Sequence, residues 1–340
     1  MSGELETTTA GSPPFLIEQP ILSVCDLRTE LFFKVNEPTI RAVNGVSFDL
    51  PRGGVLGIVG ESGSGKSMTA LSILRLLPRS GRIMNGSIVF EGEDLVSASE
   101  ARMRSLRGPK LSMILQDPMA SLDPLFSVGR QIAEPMRIHL GLNADEARVR
   151  AIDLLRAVNI SSPEARLGQY PHELSGGMLQ RIVAATAIAC RPTLLIADEP
   201  TTALDPGVQV QFLDLLDDLR TRDSLSLIIV THDFGVVARL CDRVMVMYAG
   251  RAVETGSARS IFDAPRHPYT IALLAALRST TDRSKNRLVG IDGSPPDLGK
   301  LPLGCAFAPR CKRATAICRL ESPPVSEASP THMVACWEAR

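Results

Sequence analysis

The chain has 340 residues, 44% of them apolar, a length that suggests two domains or one large one with ample core. That composition excludes an intrinsically disordered chain. Lys and Arg together number 37, as do Asp and Glu, so the formal net charge is zero and no global field gathers nucleic acid.

Residues 1–18 hold Glu4, Glu6 and a Thr-rich run, without the basic start and apolar core of a secretory signal. They predict a disordered N-terminal tail. Residues 21–58 alternate apolar and polar positions, which predicts strands in a small antiparallel sheet. Within them, Val55-Leu56-Gly57-Ile58-Val59 is a fully apolar strand leading into Gly60-Glu61-Ser62-Gly63-Ser64-Gly65-Lys66-Ser67. This run matches G-x-x-x-x-G-K-[ST], a loop whose backbone N–H groups cradle nucleotide phosphates. Lys66 can reach the β- and γ-phosphates, and the Ser67 hydroxyl can ligate Mg²⁺. A helix is predicted from Ser67 and Met68 to Leu77, stopped at Pro78, and its N-terminus adds attraction for the same anion.

Further along, Ser87-Ile88-Val89-Phe90 predicts a strand bounded by Asn85-Gly86 and Glu91-Gly92 turns. Residues 125–190 are dominated by helical periodicity. Ser175, Gly176, Gly177 and Met178 open the last of these helices. A serine and paired glycines there fit a second anion site, although such a run in isolation is more often a plain N-cap and turn. Leu194 to Ala197 is an apolar strand ending in Asp198 and Glu199, and Leu227 to Val230 is another. Buried runs separated by helices predict a parallel sheet, whose C-terminal edge is where ligands bind. There Asp198 can hold Mg²⁺ and Glu199 can act as general base toward water. No apolar run is long enough to span a bilayer. The chain is therefore expected in the cytosol, with any membrane role supplied by partner subunits.

Near residue 265 the composition turns rich in Pro and Cys, which predicts a boundary between residues 19–265 and 266–340. Four of the seven cysteines, Cys305, Cys311, Cys318 and Cys336, fall in this tail. In a reducing compartment such a cluster suggests metal rather than disulfides. Zinc and iron–sulfur clusters both accept four thiolates, the spacing matches no common motif of either, and unligated thiols are a third reading. Cys25, Cys190 and Cys241 lie in or beside apolar segments and read as core thiols.

Taken together, these motifs resemble the ATP-binding subunits of ABC transporters over residues 21–260. Gly60 to Ser67 resembles their Walker A loop. Gln116, in Leu115-Gln116-Asp117-Pro118, resembles the Q-loop glutamine, a further ligand toward Mg²⁺. Leu174 to Met178 resembles the signature motif, and Leu194 to Glu199 resembles Walker B with the catalytic glutamate. Ala203-Leu204-Asp205 resembles the D-loop, and His232, in Thr231-His232-Asp233, the switch histidine. The resemblance implies an α/β P-loop fold: a RecA-like parallel core, an antiparallel β subdomain and a helical subdomain at about 118–190. It also implies that Ser175 to Met178 touch nucleotide held by a second ATPase subunit. An aromatic stacked on adenine is expected from Phe32 or Phe33, with a core role the equal alternative for either. The helical stretch from Met119 to about Leu140 is expected to dock membrane subunits.

His267-Pro268-Tyr269-Thr270 and Gly304 to Cys311 resemble the C-terminal extension of the peptide-importer branch. That likeness implies a [4Fe–4S] cluster on the four tail cysteines, with zinc as the alternative. It further implies a second, different ATPase subunit, two integral membrane permease subunits and an extracytoplasmic substrate-binding protein. The expected function is ATP hydrolysis that energises import of di- or oligopeptides, from the cytoplasmic face of the bacterial inner membrane. A soluble ABC ATPase acting on DNA or ribosomes is the competing reading. The missing basic excess and the lack of a second cassette weigh against it.

Overall fold

The computed structural model describes residues 19–33, 38–202, 204–281 and 290–339. The expected N-terminal tail and Ala203 of the D-loop lie outside the described residues. The elements begin with β1 (Leu22–Leu31), β2 (Ile40–Leu50), β3 (Val55–Val59), α1 (Lys66–Ile73), β4 (Gly81–Phe90) and β5 (Glu93–Asp94). Next come α2 (Glu100–Leu106), β6 (Leu111–Ile114), α3 (Pro118–Ser121), α4 (Val128–Leu140), α5 (Ala144–Ala157), α6 (Pro163–Arg166) and α7 (Gly176–Ile188). The chain continues through β7 (Leu194–Asp198), α8 (Pro206–Asp223), β8 (Ser226–Thr231), α9 (Phe234–Leu240), β9 (Arg243–Tyr248) and β10 (Arg251–Ser257). It finishes with α10 (Ala258–Asp263), α11 (Pro268–Thr281), α12 (Ala316–Leu320), β11 (Ser326–Ser329) and β12 (His332–Val334).

Two sheets carry the fold among the described residues. β2, β1, β4 and β5 form a four-stranded antiparallel sheet. The larger sheet runs β11-β12-β10-β9-β3-β8-β7-β6, with β9, β3, β8, β7 and β6 parallel. Alternation assigns its central strands to two cores. Val55, Val59, Leu227, Ile229, Leu195 and Ala197 face the helices. Leu56, Ile58, Ile228, Val230, Leu194 and Ile196 face the antiparallel sheet. Both faces are covered, which is why these strands read as unbroken apolar runs rather than alternating ones.

Three expectations shift. The stretch 21–58 splits: β1 and β2 enter the antiparallel sheet, whereas β3 joins the parallel one. Asn85-Gly86 does not turn the chain but lies inside β4, opposite a register shift in β1. Gly86 sits there at φ 96°, and a Cβ on it would meet the Asp26 and Cys25 carbonyl oxygens at 2.5 Å. The motif that usually marks a hairpin here accommodates a bulge. Third, the Met119 to Leu140 helix is two, α3 and α4, with Asp117 capping the first through its side chain.

The compositional change near residue 265 does not end the larger sheet. β12 pairs with β10, placing Val334 opposite Glu254, and β11 pairs with β12. Glu254 is fully enclosed and accepts hydrogen bonds from the Arg266 and His267 N–H groups at 2.7 and 2.9 Å. His332 Nε2 lies 2.7 Å from the same carboxylate. One buried acid therefore ties the tail to the sheet, since freeing any of its donors leaves a buried polar group unmatched.

His267 is itself buried, and its Nδ1 accepts the Tyr269 N–H at 3.0 Å, which requires an unprotonated nitrogen. Burial pushes its pKa down from 6.5 to about 4. The unfolded chain therefore takes up a proton there in a range where the folded chain does not. The resulting stability is complete above pH 6.5, is lost as pH falls toward 4, and amounts to about 3 kcal/mol. Urea unfolding at neutral and acid pH checks this. A His267→Gln chain should lose less stability on acidification than the unaltered chain, by about that amount.

Candidate active site

The glycine loop joins β3 to α1, and its shape follows from residues at positive φ. Gly60, Gly63 and Gly65 have φ of 154°, 78° and 102°. Gly65 is the N-cap of α1, so the first helical N–H groups face the loop's interior. Lys66 Nζ donates to the Gly60 and Glu61 carbonyls at 2.7 and 3.0 Å. The ammonium is thus held across the mouth of its own loop. Burial pulls the Lys66 pKa below its ordinary value, and the charges of Glu199, Asp198 and Glu61 work against that shift.

A cavity of about 360 Å³ opens over this loop. Residues Ser62–Met68 line it, together with Gln116, Asp198 and Glu199, so β6, β7 and the loop meet as the motif order predicts. Burial raises the Asp198 pKa, while a Ser67 hydroxyl hydrogen bond lowers it. Asp198 Oδ1 is buried without a hydrogen-bond partner, and so is Ser64 Oγ. The unmatched Asp198 oxygen, on a carboxylate beside Ser67, is chemically suited to a hard cation and its water shell. By the same test the lined loop suits a polyphosphate: backbone donors, an ammonium and room.

Glu199 follows the last residue of β7 and adopts φ 49°, an uncommon conformation for a side chain of its size. Its N–H donates to the Val230 carbonyl at 2.8 Å. Its carboxylate is gripped on both oxygens. Oε1 accepts from the His232 N–H at 3.2 Å and from His232 Nδ1 at 2.8 Å. Oε2 accepts from the Thr202 and Thr231 hydroxyls at 3.0 and 3.4 Å. Thr202 and Thr231 were not legible as site residues. Their only signal is adjacency to Glu199 and His232, and hydroxyl roles depend on the register between β7 and β8.

Ser175, Gly176, Gly177, Met178 and Asp205 stand apart from this cavity: none lines it. Ser175 is the N-cap of α7 and Asp205 that of α8, and neither makes a side-chain cap bond. Gly176 has open space around it. Phe32 and Phe33 are both exposed, so neither ring is taken up by the core; Leu31, Ile40, Ala42 and Leu298 line the cavity.

The four tail cysteines come together around one small cavity that Trp337 and Pro323 also line. The Cys305 N–H donates to the Cys318 carbonyl at 2.8 Å, and Thr315 Oγ1 lies 3.3 Å from Cys318 Sγ. Burial raises the pKa of Cys305, Cys311 and Cys336. Among the described residues, however, no group of three or more His, Cys, Asp or Glu is arranged to hold a metal ion. Cys190 and Cys241 are buried as expected, and Cys25 is half-buried.

The comparisons with known proteins agree with this geometry. Residues 43–202 match the ABC transporter family model, and residues 253–318 match the oligopeptide/dipeptide transporter C-terminal region. The chain is 49% identical over 320 residues to a probable peptide ABC transporter ATP-binding protein, y4tR, of Sinorhizobium fredii; 94% of this chain and 95% of that one are covered. It is 48% identical over 318 residues to the oligopeptide transport ATP-binding protein OppD of Bacillus subtilis, covering 93% and 88%. Among solved structures, the dimeric bacterial ABC transporter cassette MJ0796 superposes with a TM-score of 0.64 at 25% identity, covering 70% of this chain and 99% of that one. The cbiO1 structure of Clostridium perfringens, part of a cbiONQ transporter complex, gives 0.60 at 26%, covering 78% and 97%. The chain belongs to the ATP-binding proteins of the ABC transporter family, in the branch that carries the oligopeptide/dipeptide transporter C-terminal region.

Proposed function

We propose that this chain hydrolyses ATP to drive import of di- or oligopeptides across the bacterial inner membrane. One observation carries the reading. A single cavity unites Lys66, Gln116, Asp198 and Glu199 on a chain nearly half identical to peptide-transport ATP-binding proteins. In this reading Lys66 and the N-terminus of α1 bind the phosphates, and Ser67, Asp198 and Gln116 hold Mg²⁺. Bound Mg²⁺ supplies positive charge against the γ-phosphate. Glu199 orients the attacking water and accepts its proton, and His232 and the two threonines fix the carboxylate for that task. Ser175 to Met178 and Asp205 complete the site of a second ATPase subunit, which accounts for their distance from this chain's own cavity. Domain limits of 19–265 and 266–340 fit the same scheme, as do a helical subdomain at about 118–190, two permease subunits and an extracytoplasmic binding protein. The α3–α4 region docks the permeases. Met119 and Leu125 stand exposed there, as a surface awaiting a partner would leave them. The complex sits at the cytoplasmic face.

A [4Fe–4S] cluster on Cys305, Cys311, Cys318 and Cys336 belongs to the same proposal. Its support is the convergence of four thiols on one cavity. Zinc on the same four thiols is the alternative. The cluster's task is structural, fastening a tail with little core of its own. One anaerobic preparation of the chain with its membrane partners tests both parts. ATP hydrolysis should rise when peptide-loaded binding protein is added, and a visible absorption band should bleach under an iron chelator. Hydrolysis indifferent to peptides sinks the cargo assignment. A colourless preparation with stoichiometric zinc sinks the cluster.

A further inference from the structure

The first arm of the glycine loop is held from the tail. Glu61 follows Gly60, and its carboxylate receives both arms of the Arg310 guanidinium: Nη1 to Oε2 at 2.6 Å and Nη2 to Oε1 at 3.0 Å. These residues are 249 positions apart. The Arg310 side chain is 5% exposed, and two further donations hold it within the fold. Nε donates to the Asp292 carbonyl at 2.9 Å, and Nη1 also reaches Tyr248 Oη at 3.3 Å. Phe307, three residues earlier, is wedged edge-on against Tyr248 and Tyr269 with ring centroids 5.2 and 5.4 Å away. Tyr269 Oη in turn accepts the Glu61 N–H at 2.8 Å. The backbone of Glu61 closes the chain of contacts, because its carbonyl is one of the two that hold Lys66 Nζ.

We infer that Arg310 is a positioning residue for nucleotide binding, delivered by the C-terminal tail to set Glu61 and, through it, the loop that holds Lys66. A planar fork on a carboxylate fixes direction as well as distance, which a point charge does not. With the fork gone, Glu61 and the loop's first arm gain alternative conformations. ATP then binds only the fraction that keeps the competent one, so apparent affinity falls while chemistry in the loaded site is spared. The tail thereby acts on the ATP site of its own chain, rather than only adding strands to the sheet. This inference rests on the ATP-binding reading above.

The test uses the full-length chain. In Arg310→Met, KM for ATP should rise roughly tenfold with kcat within about twofold. Arg310→Lys should fall between the two, because it keeps the charge and loses the fork. Adding Arg310→Met to Glu61→Ala should raise KM no further, since no acceptor for the fork remains. Amide hydrogen exchange across residues 60–67 of the nucleotide-free chain should quicken in Arg310→Met. A lower kcat with unchanged KM, additive effects in the double variant, or unaltered loop exchange would each overturn the inference. Failure of the unaltered chain to bind ATP would instead reject the ATP reading, and the exchange measurement would still decide the role of Arg310.

Discussion

Glu199→Gln should lower single-turnover ATP hydrolysis by a factor of about 10² to 10⁴ while leaving ATP affinity within about twofold. The replacement is nearly isosteric, so the carbonyl oxygen can still accept from Thr202 and Thr231, both of whose hydroxyls can rotate. It keeps the positive φ that places the side chain at the end of β7. What it removes is the charged acceptor for a proton leaving the attacking water. Lys66, Ser67 and Asp198 remain to bind the nucleotide, so the loss falls on the chemical step. Single-turnover hydrolysis and equilibrium binding of a fluorescent ATP analogue separate the two quantities. Turnover within tenfold of the unaltered chain would show that another group takes the proton.

Why Glu199 was legible and Arg310 was not is a matter of range. Gly60 to Ser67 announces itself because glycine spacing, a strand before and a helix after are all local. Asp198 and Glu199 follow from the apolar run that β7 needs when both sheet faces are covered. By contrast, no periodicity relates Glu61 to Arg310 across 249 positions. The packing of Phe307 against Tyr248 and Tyr269 brings them together. β11 and β12 were also unreadable. Ser326–Ser329 is too polar and His332–Val334 too short to show a strand pattern, and β12 exists because β10 offers it an edge. At Asn85-Gly86 local turn chemistry misled, since tertiary pairing with β1 used the same glycine for a bulge.

Gly65→Ala should weaken ATP binding by at least about a hundredfold, and Gly63→Ala by about tenfold or less. Both glycines have positive φ, 102° and 78°, so both substitutions carry a backbone cost of roughly 1–2 kcal/mol. Space distinguishes them. A Cβ on Gly63 would meet nothing within 4 Å. One on Gly65 would lie 2.3 Å from the Ala42 carbonyl oxygen and 3.2 Å from Gly250 Cα, both backbone atoms. Neither can step aside cheaply. Ala42 is in β2, and Gly250 donates its N–H to the Ser64 carbonyl at 2.9 Å, bracing the loop from the other side. The strain therefore moves the loop, and with it the carbonyls that hold Lys66. Calorimetric titration with ATP, beside melting curves that establish each variant is folded, reads the difference directly. Equal affinities for the two variants would mean that the loop's grip depends on glycine's freedom of rotation alone and not on the closeness of β2 and the β9–β10 turn.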